Sequence, residues 1–357
     1  MTLVINGRFL TQGLTGVQRF AIEITRALDV LAAEGAAPPM RLVVPAGAVA
    51  PWLRTIPLET AGARGGQSWE QRDLVRAARG SVIVNLGNTG PVLAGRRQAV
   101  VIHDAGAFDT PESYSFPFRT WYRLLHRARV ARGARIVTVS EFSRSRLAAN
   151  LAVAPAKIAV MPEGGEHILR ETADGTILTR HRLAPRRYAL AVGTRAAHKN
   201  LAALGAAASL LASRGLTLAA AGAADPAVFR PAGIAQGSGA VALGRVTDAE
   251  LRALYENALC LVFPSRYEGF GLPPVEAMAA GCPVIASAAG AVREVCGDAA
   301  LWFDPAAPES LPAALARLLD EPGLAGSLRE AGAARARLFT WRAAAERLLA
   351  IVGEIRA

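Results

Sequence analysis

The chain has 357 residues and a mass of 37.3 kDa, more than one comfortable core accommodates, so its length points to two domains. With 52% hydrophobic and 19% charged residues it is neither disordered nor collagen-like. The formal charge of +11 is almost wholly arginine, since Lys157 and Lys199 are the only lysines, and it speaks either for anionic partners or for a biased composition.

Taken in chain order, the start MTLVINGRFL lacks the basic and long apolar regions of a secretion signal. Short apolar runs at Leu3–Ile5, Leu42–Val44, Val82–Asn85, Val100–His103, Ile136–Ser140 and Ile158–Met161 read as buried strands. Between the first two, Val17, Phe20, Ala21, Ile24, Leu28 and Leu31 recur at helical spacing and predict an amphipathic helix. Residues 116–132 interleave aromatics with Arg119, Arg123, Arg127 and Arg129 and predict an amphipathic basic helix. Its simplest reading is a surface helix packed on the sheet, followed by an anionic membrane surface and then nucleic acid.

From Thr172 to Pro185 the chain is polar without an apolar repeat, which predicts a hinge. A second series of runs follows at Tyr188–Val192, Leu216–Ala220, Val241–Leu243, Cys260–Phe263, Pro283–Ala286 and Leu301–Phe303. The apolar stretch from Leu201 to Ala224 is interrupted by Arg214 and Gly215 and reads as helix, turn and strand rather than a membrane span. Cys260, Cys282 and Cys296 are odd in number and widely spaced, supporting neither disulfides nor a zinc site, so a cytoplasmic setting is expected. Alternating strands and helices predict parallel sheets: an α/β protein of two doubly wound, Rossmann-like domains, residues 1–170 and 183–339. A helix within 340–357 is expected to return to the first. Ligands of such sheets bind beyond the carboxyl ends of the strands, so the site is expected in a cleft between the domains.

The segment from Phe263 to Ser287 carries the chemistry. It leaves a strand, passes Gly269 and Gly271, and opens a helix beginning near Pro273 and Pro274. Glycines let the backbone approach a phosphate closely, and free amides there favour negative charge. Glu268 and Glu276 flank the turn. Two carboxylates beside a diphosphate repel it unless they hold hydroxyls, which points to a nucleotide sugar. Taken alone, a pair of glutamates reads more simply as a solvated helix residue and a loop charge.

This segment resembles the glutamate-seven-glutamate motif of retaining glycosyltransferase family 4, which has the GT-B fold. The resemblance implies that Glu268 and the backbone of Phe270, Gly271 and Leu272 hold the donor sugar, and that Glu276 holds the nucleotide ribose. It extends to Leu14–Ala21, where the Gly16 and Val17 amides would approach the donor diphosphate, and to His103, which would contact the sugar near the reacting carbon. Val139 to Arg144 resembles a further landmark of the family, one expected to close part of the acceptor side. Val192 to Asn200 resembles its cationic loop: Lys199 fits, whereas Thr194 stands where an arginine is usual and Arg195 is displaced by one. Gly244, Arg245 and Val246 resemble the loop that meets the nucleobase.

The activity so implied is transfer of a hexose from a nucleotide-sugar donor, with retained configuration, to a saccharide or polyprenyl-diphosphate-linked saccharide of surface polysaccharide synthesis. The segments look most like bacterial mannosyltransferases using GDP-mannose. No acidic metal motif is seen, so Lys199, Arg195 and backbone amides would neutralise the leaving oxygen without metal or cofactor. A nucleotide-sugar epimerase of the same fold and an arginine-rich nucleic-acid-binding protein are the alternatives; with the transferase reading no nucleic-acid partner is expected.

Overall fold

The computed structural model describes residues 2–193, 196–222 and 240–355. The chain divides into two compact units, one of Met1–Glu163 with Trp341–Ala357, the other of Gly164–Thr340.

The first unit is built on a seven-stranded sheet, all parallel, in the order β3-β2-β1-β4-β5-β6-β7. Its strands are β1 Leu3–Asn6, β2 Met40–Val44, β3 Leu58–Thr60, β4 Val82–Asn85, β5 Gln98–Val101, β6 Arg135–Thr138 and β7 Ile158–Val160. A parallel strand covered on both faces must be apolar throughout, and β1, β4 and β5 are buried at every residue. β3 is the exception. Glu59 and Thr60 give this short edge strand no apolar run, and Leu58 is 39% exposed, so the sequence pattern passes over it. The Gly16–Ala33 helix buries Phe20, Ala21, Ile24, Leu28 and Leu31. The Trp341–Gly353 helix packs on it, with Trp341 set against Phe20 at 5.8 Å and Arg342 Nη2 paired to Glu34 at 2.7 Å.

The second unit has a six-stranded parallel sheet in the order β10-β9-β8-β11-β12-β13. Its strands are β8 Tyr188–Val192, β9 Thr217–Ala221, β10 Ala240–Gly244, β11 Cys260–Phe263, β12 Val284–Ser287 and β13 Ala300–Phe303. Period-two alternation distributes them between two cores. Tyr188, Leu190, Leu261, Phe263, Val284 and Ala286 fill one face, while Ala189, Ala191, Cys260, Val262 and Ile285 fill the other. The polar stretch expected as a hinge lies inside this unit: Ile177 and Leu183 are buried in its core, and the division of the chain falls at Glu163 and Gly164.

Both orders reverse once, between β1 and β4 in the first sheet and between β8 and β11 in the second. At such a switch point the loops at the carboxyl ends part to opposite faces and leave a crevice.

Candidate active site

In the second unit the loops after β8 and β11 flank the switch point. Lys199 closes the Ala197–Lys199 turn of 3₁₀ helix, and its Nζ lies 2.6 Å from Glu268 Oε1 and 5.7 Å from the centre of the Phe263 ring. Cation and carboxylate are 19% and 12% exposed, sheltered enough for their charges to be felt. The two loops are tied by Arg266 N–H donating to the His198 carbonyl at 2.7 Å. In the same two loops, buried Asn200 Nδ2 and buried Ser265 Oγ have no hydrogen-bond partner. Unpaired polar atoms in a protein interior are uncommon and call for a ligand or water.

Glu268 is held at its backbone. Gly290, at φ +60°, passes so close that a Cβ there would meet Glu268 N at 2.8 Å and O at 2.9 Å, and Ala291 N–H donates to the Glu268 carbonyl at 3.2 Å. Gly271 adopts φ 105° as the cap of the Leu272–Ala279 helix, a conformation that side-chain-bearing residues rarely tolerate. The helix begins at Leu272, one residue before the expected prolines. Pro273 and Pro274 carry no N–H, so Leu272 is the one residue among the first three of the helix that brings a backbone donor. Phe270 is buried, edge-on to Phe339 at 5.5 Å.

Glu276 points to a different set of partners. Buried Tyr255 donates its hydroxyl to Oε2 at 3.0 Å, and His167 Nε2 lies 3.0 Å from Oε1. Burial first, then the charge of Glu276, pushes the Tyr255 hydroxyl well above its ordinary pKa, so it stays a donor. Neither partner is visible in the motif, since Tyr255 is 21 residues away and lies on another helix, Asp248–Asn257. That helix opens with a capping box, Thr247 Oγ1 accepting from Glu250 N–H at 3.2 Å and Glu250 Oε2 from Thr247 N–H at 2.8 Å. The box anchors the preceding turn, where Arg245 is exposed and Val246 packs on the core. Thr194 and Arg195 lie outside the described residues.

In the first unit, Gly16 and Val17 open the Gly16–Ala33 helix; Gly16 is exposed with nothing within 4 Å of where a Cβ would stand, and Thr15 makes no side-chain cap. His103 follows β5, two residues beyond its end at Val101, and is buried. Its Nδ1 lies 3.1 Å from Glu163 Oε1 and its Nε2 3.1 Å from the Leu86 carbonyl, with the Phe20 ring edge-on at 4.5 Å. Burial alone lowers the imidazole pKa, but the hydrogen bond and charge of Glu163, the Leu86 carbonyl and Asp104 outweigh it, and the net shift is upward. The ring is therefore biased toward the doubly protonated form, a donor on both sides. Ser140 caps the Glu141–Leu151 helix, and within it Ser143 Oγ donates to the His103 carbonyl at 2.9 Å. Glu163, 60 residues from His103, escapes any reading of spacing.

The structure thus brings Lys199 and Glu268 into contact, while Glu276 and His103 each have partners of their own. Among the described residues no three His, Cys, Asp or Glu side chains gather as a metal site.

Residues 181–335 match the sequence profile of the family described as glycosyl transferases group 1. The chain is 33% identical over 258 residues to O-antigen chain mannosyltransferase B of Escherichia coli, covering 69% of this chain and 67% of that protein. It is 28% identical over 257 residues to the O-antigen chain mannosyltransferase RfbU of Salmonella typhimurium, covering 70% and 68%. Among solved structures it resembles Alr3699/HepE of Anabaena in complex with UDP and glucose, with a TM-score of 0.72 and 18% identity over 99% of each chain.

Proposed function

The chain belongs to the glycosyl transferases group 1 family and has its GT-B fold, and on that premise we propose that it transfers mannose from GDP-mannose to a growing surface saccharide. The observation that carries the proposal is the Lys199–Glu268 pair at the β8/β11 switch point, with unpaired Asn200 Nδ2 and Ser265 Oγ in the same two loops. The O-antigen chain mannosyltransferases at 33% and 28% identity support mannose as the sugar and a saccharide chain as the acceptor, and the resemblance to family 4 implies a polyprenyl diphosphate as its carrier.

Breaking the bond between the anomeric carbon and the diphosphate separates charge: the sugar becomes oxocarbenium-like and the leaving oxygen gains negative charge. Lys199 and the turn amides at Gly271 and Leu272 meet that growing charge, while Glu268 accepts from a sugar hydroxyl. Donor binding therefore draws Lys199 from Glu268 to the diphosphate. Glu276, oriented by Tyr255 and His167, accepts from a ribose hydroxyl. The resemblance to family 4 gives the amides of Gly16 and Val17 to the diphosphate and His103 to the sugar, its Nε2–H exchanging the Leu86 carbonyl for a hydroxyl. Arg195, Thr194, Arg245 and Val246 keep the donor-binding roles that the same resemblance implies. The leaving phosphate, on the face that the acceptor attacks, takes the acceptor's proton, so configuration is retained and no metal or cofactor is required.

The acceptor setting is supported by the Phe116–Ala131 helix, which leaves Phe116, Trp121 and Leu124 at 69%, 46% and 58% exposure among arginines, a composition suited to an anionic membrane surface on the cytoplasmic side. Among the described residues no helix is long and apolar enough to cross a membrane.

A panel of GDP, UDP, ADP and dTDP tests the donor. GDP should raise the melting temperature most, and GDP-mannose turnover should persist in EDTA with an α-linked product. Equal or absent shifts across the panel overturn GDP, and EDTA-abolished turnover overturns metal independence.

A further inference from the structure

The carboxyl ends of four neighbouring strands, β4 to β7, converge on one imidazole, that of His103. His103 stands two residues beyond the end of β5, and Glu163 three beyond the end of β7. The His103 N–H donates to Asn88 Oδ1 at 2.8 Å in the loop after β4, where Asn88 takes φ 62°, a left-handed conformation that few residues with a side chain adopt. The His103 carbonyl accepts from Ser143 Oγ at 2.9 Å, in the helix after β6. The ring itself lies between Glu163 Oε1 at Nδ1 and the Leu86 carbonyl at Nε2, each at 3.1 Å, with Phe20 of the Gly16–Ala33 helix edge-on to it. Backbone and ring are both fixed, which packing alone does not require.

Both ring nitrogens face acceptors. A carbonyl oxygen has no proton to give and an ionised carboxylate has none either, so each contact takes its hydrogen from the ring. A neutral imidazole holds one such hydrogen; the imidazolium holds two. Burial is the largest influence on the ring and works against its charge, but the hydrogen bond and charge of Glu163, with the Leu86 carbonyl and Asp104, outweigh it and raise the pKa from its ordinary 6.5. The charged groups acting on the ring are thus Glu163, after β7, and Asp104, next in the chain, while Phe20, Asn88 and Ser143 from the other elements packed against it are uncharged. Asp104 Oδ1 is engaged by the Gly106 N–H at 2.6 Å, so Glu163 is the carboxylate in contact with a ring nitrogen.

We propose that Glu163 is a positioning residue for sugar transfer: it keeps the Nδ1 proton on His103 and so presents Nε2–H as the donor of a cationic ring. A hydrogen bond from an ionised donor is shorter and about twice as strong as a neutral one. The Glu163 carboxylate also cancels the charge of the ring. A pair without net charge does not repel the oxocarbenium-like sugar, whereas a lone buried imidazolium does. That Nε2–H is given to a sugar hydroxyl rests on the transferase reading; the hold of Glu163 on the ring does not.

The test follows the histidine rings of the full chain by nitrogen NMR, with His103 identified by the signal missing from His103→Gln. In parallel it measures release of GDP from GDP-mannose with methyl α-D-mannopyranoside as acceptor. In the parent, His103 should stay doubly protonated above pH 6.5, and turnover should fall as pH rises through its pKa. Glu163→Gln keeps the shape but not the charge, so burial prevails: the ring should titrate below 6.5 and the alkaline fall of turnover should move to lower pH. Near neutral pH its kcat should be about tenfold lower with KM little changed, the difference between a charge-assisted and a neutral hydrogen bond. Glu163→Asp, which restores a carboxylate, should return the profile toward that of the parent; a merely structural Glu163 leaves it in place throughout. A folded Glu163→Gln protein with the parental profile overturns the proposal. So does a parent His103 that titrates at or below 6.5, a measurement that decides the matter if Glu163→Gln does not fold. A parent whose doubly protonated His103 depends on Glu163 but which turns over no GDP-mannose upholds the hold on the ring and sinks the transferase reading alone.

Discussion

Lys199 and Glu268 neutralise one another at 2.6 Å, and on the proposed reading this single contact makes donor binding a competition. A diphosphate must draw the ammonium from the carboxylate. Glu268→Gln removes the competitor, so GDP should bind more tightly, by up to about fivefold if the pair is worth about 1 kcal/mol, while mannosyl transfer falls because the sugar hydroxyl exchanges a charged acceptor for the weaker amide oxygen. Lys199→Ala should lower turnover about a hundred- to thousandfold, the usual consequence of deleting a group that meets transition-state charge. Calorimetry and single-turnover kinetics on the two variants check both statements; weaker GDP binding by Glu268→Gln, or near-parental turnover in Lys199→Ala, contradicts the assignment.

At the scale of elements, the Phe116–Ala131 helix has two dissimilar sides. Leu125, His126 and Arg129 are buried, and Tyr114, Phe118, Tyr122 and His126 form a ladder of ring contacts along it. The periodicity groups Trp121 with Leu125, but tertiary packing takes Leu125 and leaves Trp121 at 46% exposure. The arginines are only partly at liberty: Arg123 Nε donates to the Ala107 carbonyl at 2.8 Å, and Arg119 stands over the Phe116 ring. If this side meets an anionic membrane surface, replacing Trp121 and Leu124 together by serine should reduce co-sedimentation with vesicles of mixed neutral and acidic phospholipid. Unfolding stability should change by less than about 1 kcal/mol, because neither side chain is in a core. Undiminished vesicle binding by the double variant removes the helix from consideration.

For the folded molecule as a whole, the buried polar side of that helix sets a pH dependence. Burial, and then the charge of Arg129, holds the His126 imidazole down to about 3. Arg129 Nη1 lies 3.4 Å from His126 Nδ1, so protonation there puts two cations together away from water. As pH falls through the ordinary value of 6.5 the unfolded chain gains this proton and the folded chain does not, so stability is lost between 6.5 and about 3, at roughly 1.4 kcal/mol per pH unit. His103 acts in the opposite sense: its raised pKa contributes stability below 6.5 that disappears as pH rises through the folded-state value. Denaturant unfolding at pH 7 and pH 5 separates them, since His126→Gln leaves His103 intact. The parent should lose about 2 kcal/mol more than the variant over that interval; equal losses count against a neutral His126.

The amino-acid order alone determined most of the two parallel sheets, because a strand covered on both faces has to be a short apolar run, and such runs alternate with helical patterns along the chain. It determined the turn from Glu268 to Glu276 for a similar reason: Gly271 at φ 105° and the paired prolines are local requirements, written locally. What it left unwritten depends on contacts between distant residues. The edge strand Leu58–Thr60 is paired on one side and half-exposed, so no apolar signal marks it. Glu163 on His103, Tyr255 and His167 on Glu276, and the convergence of Arg8, Glu70 and Arg129 come from elements far apart in the chain. Which polar group meets which is fixed by the order and register of the strands that carry them, and only the tertiary structure decides that.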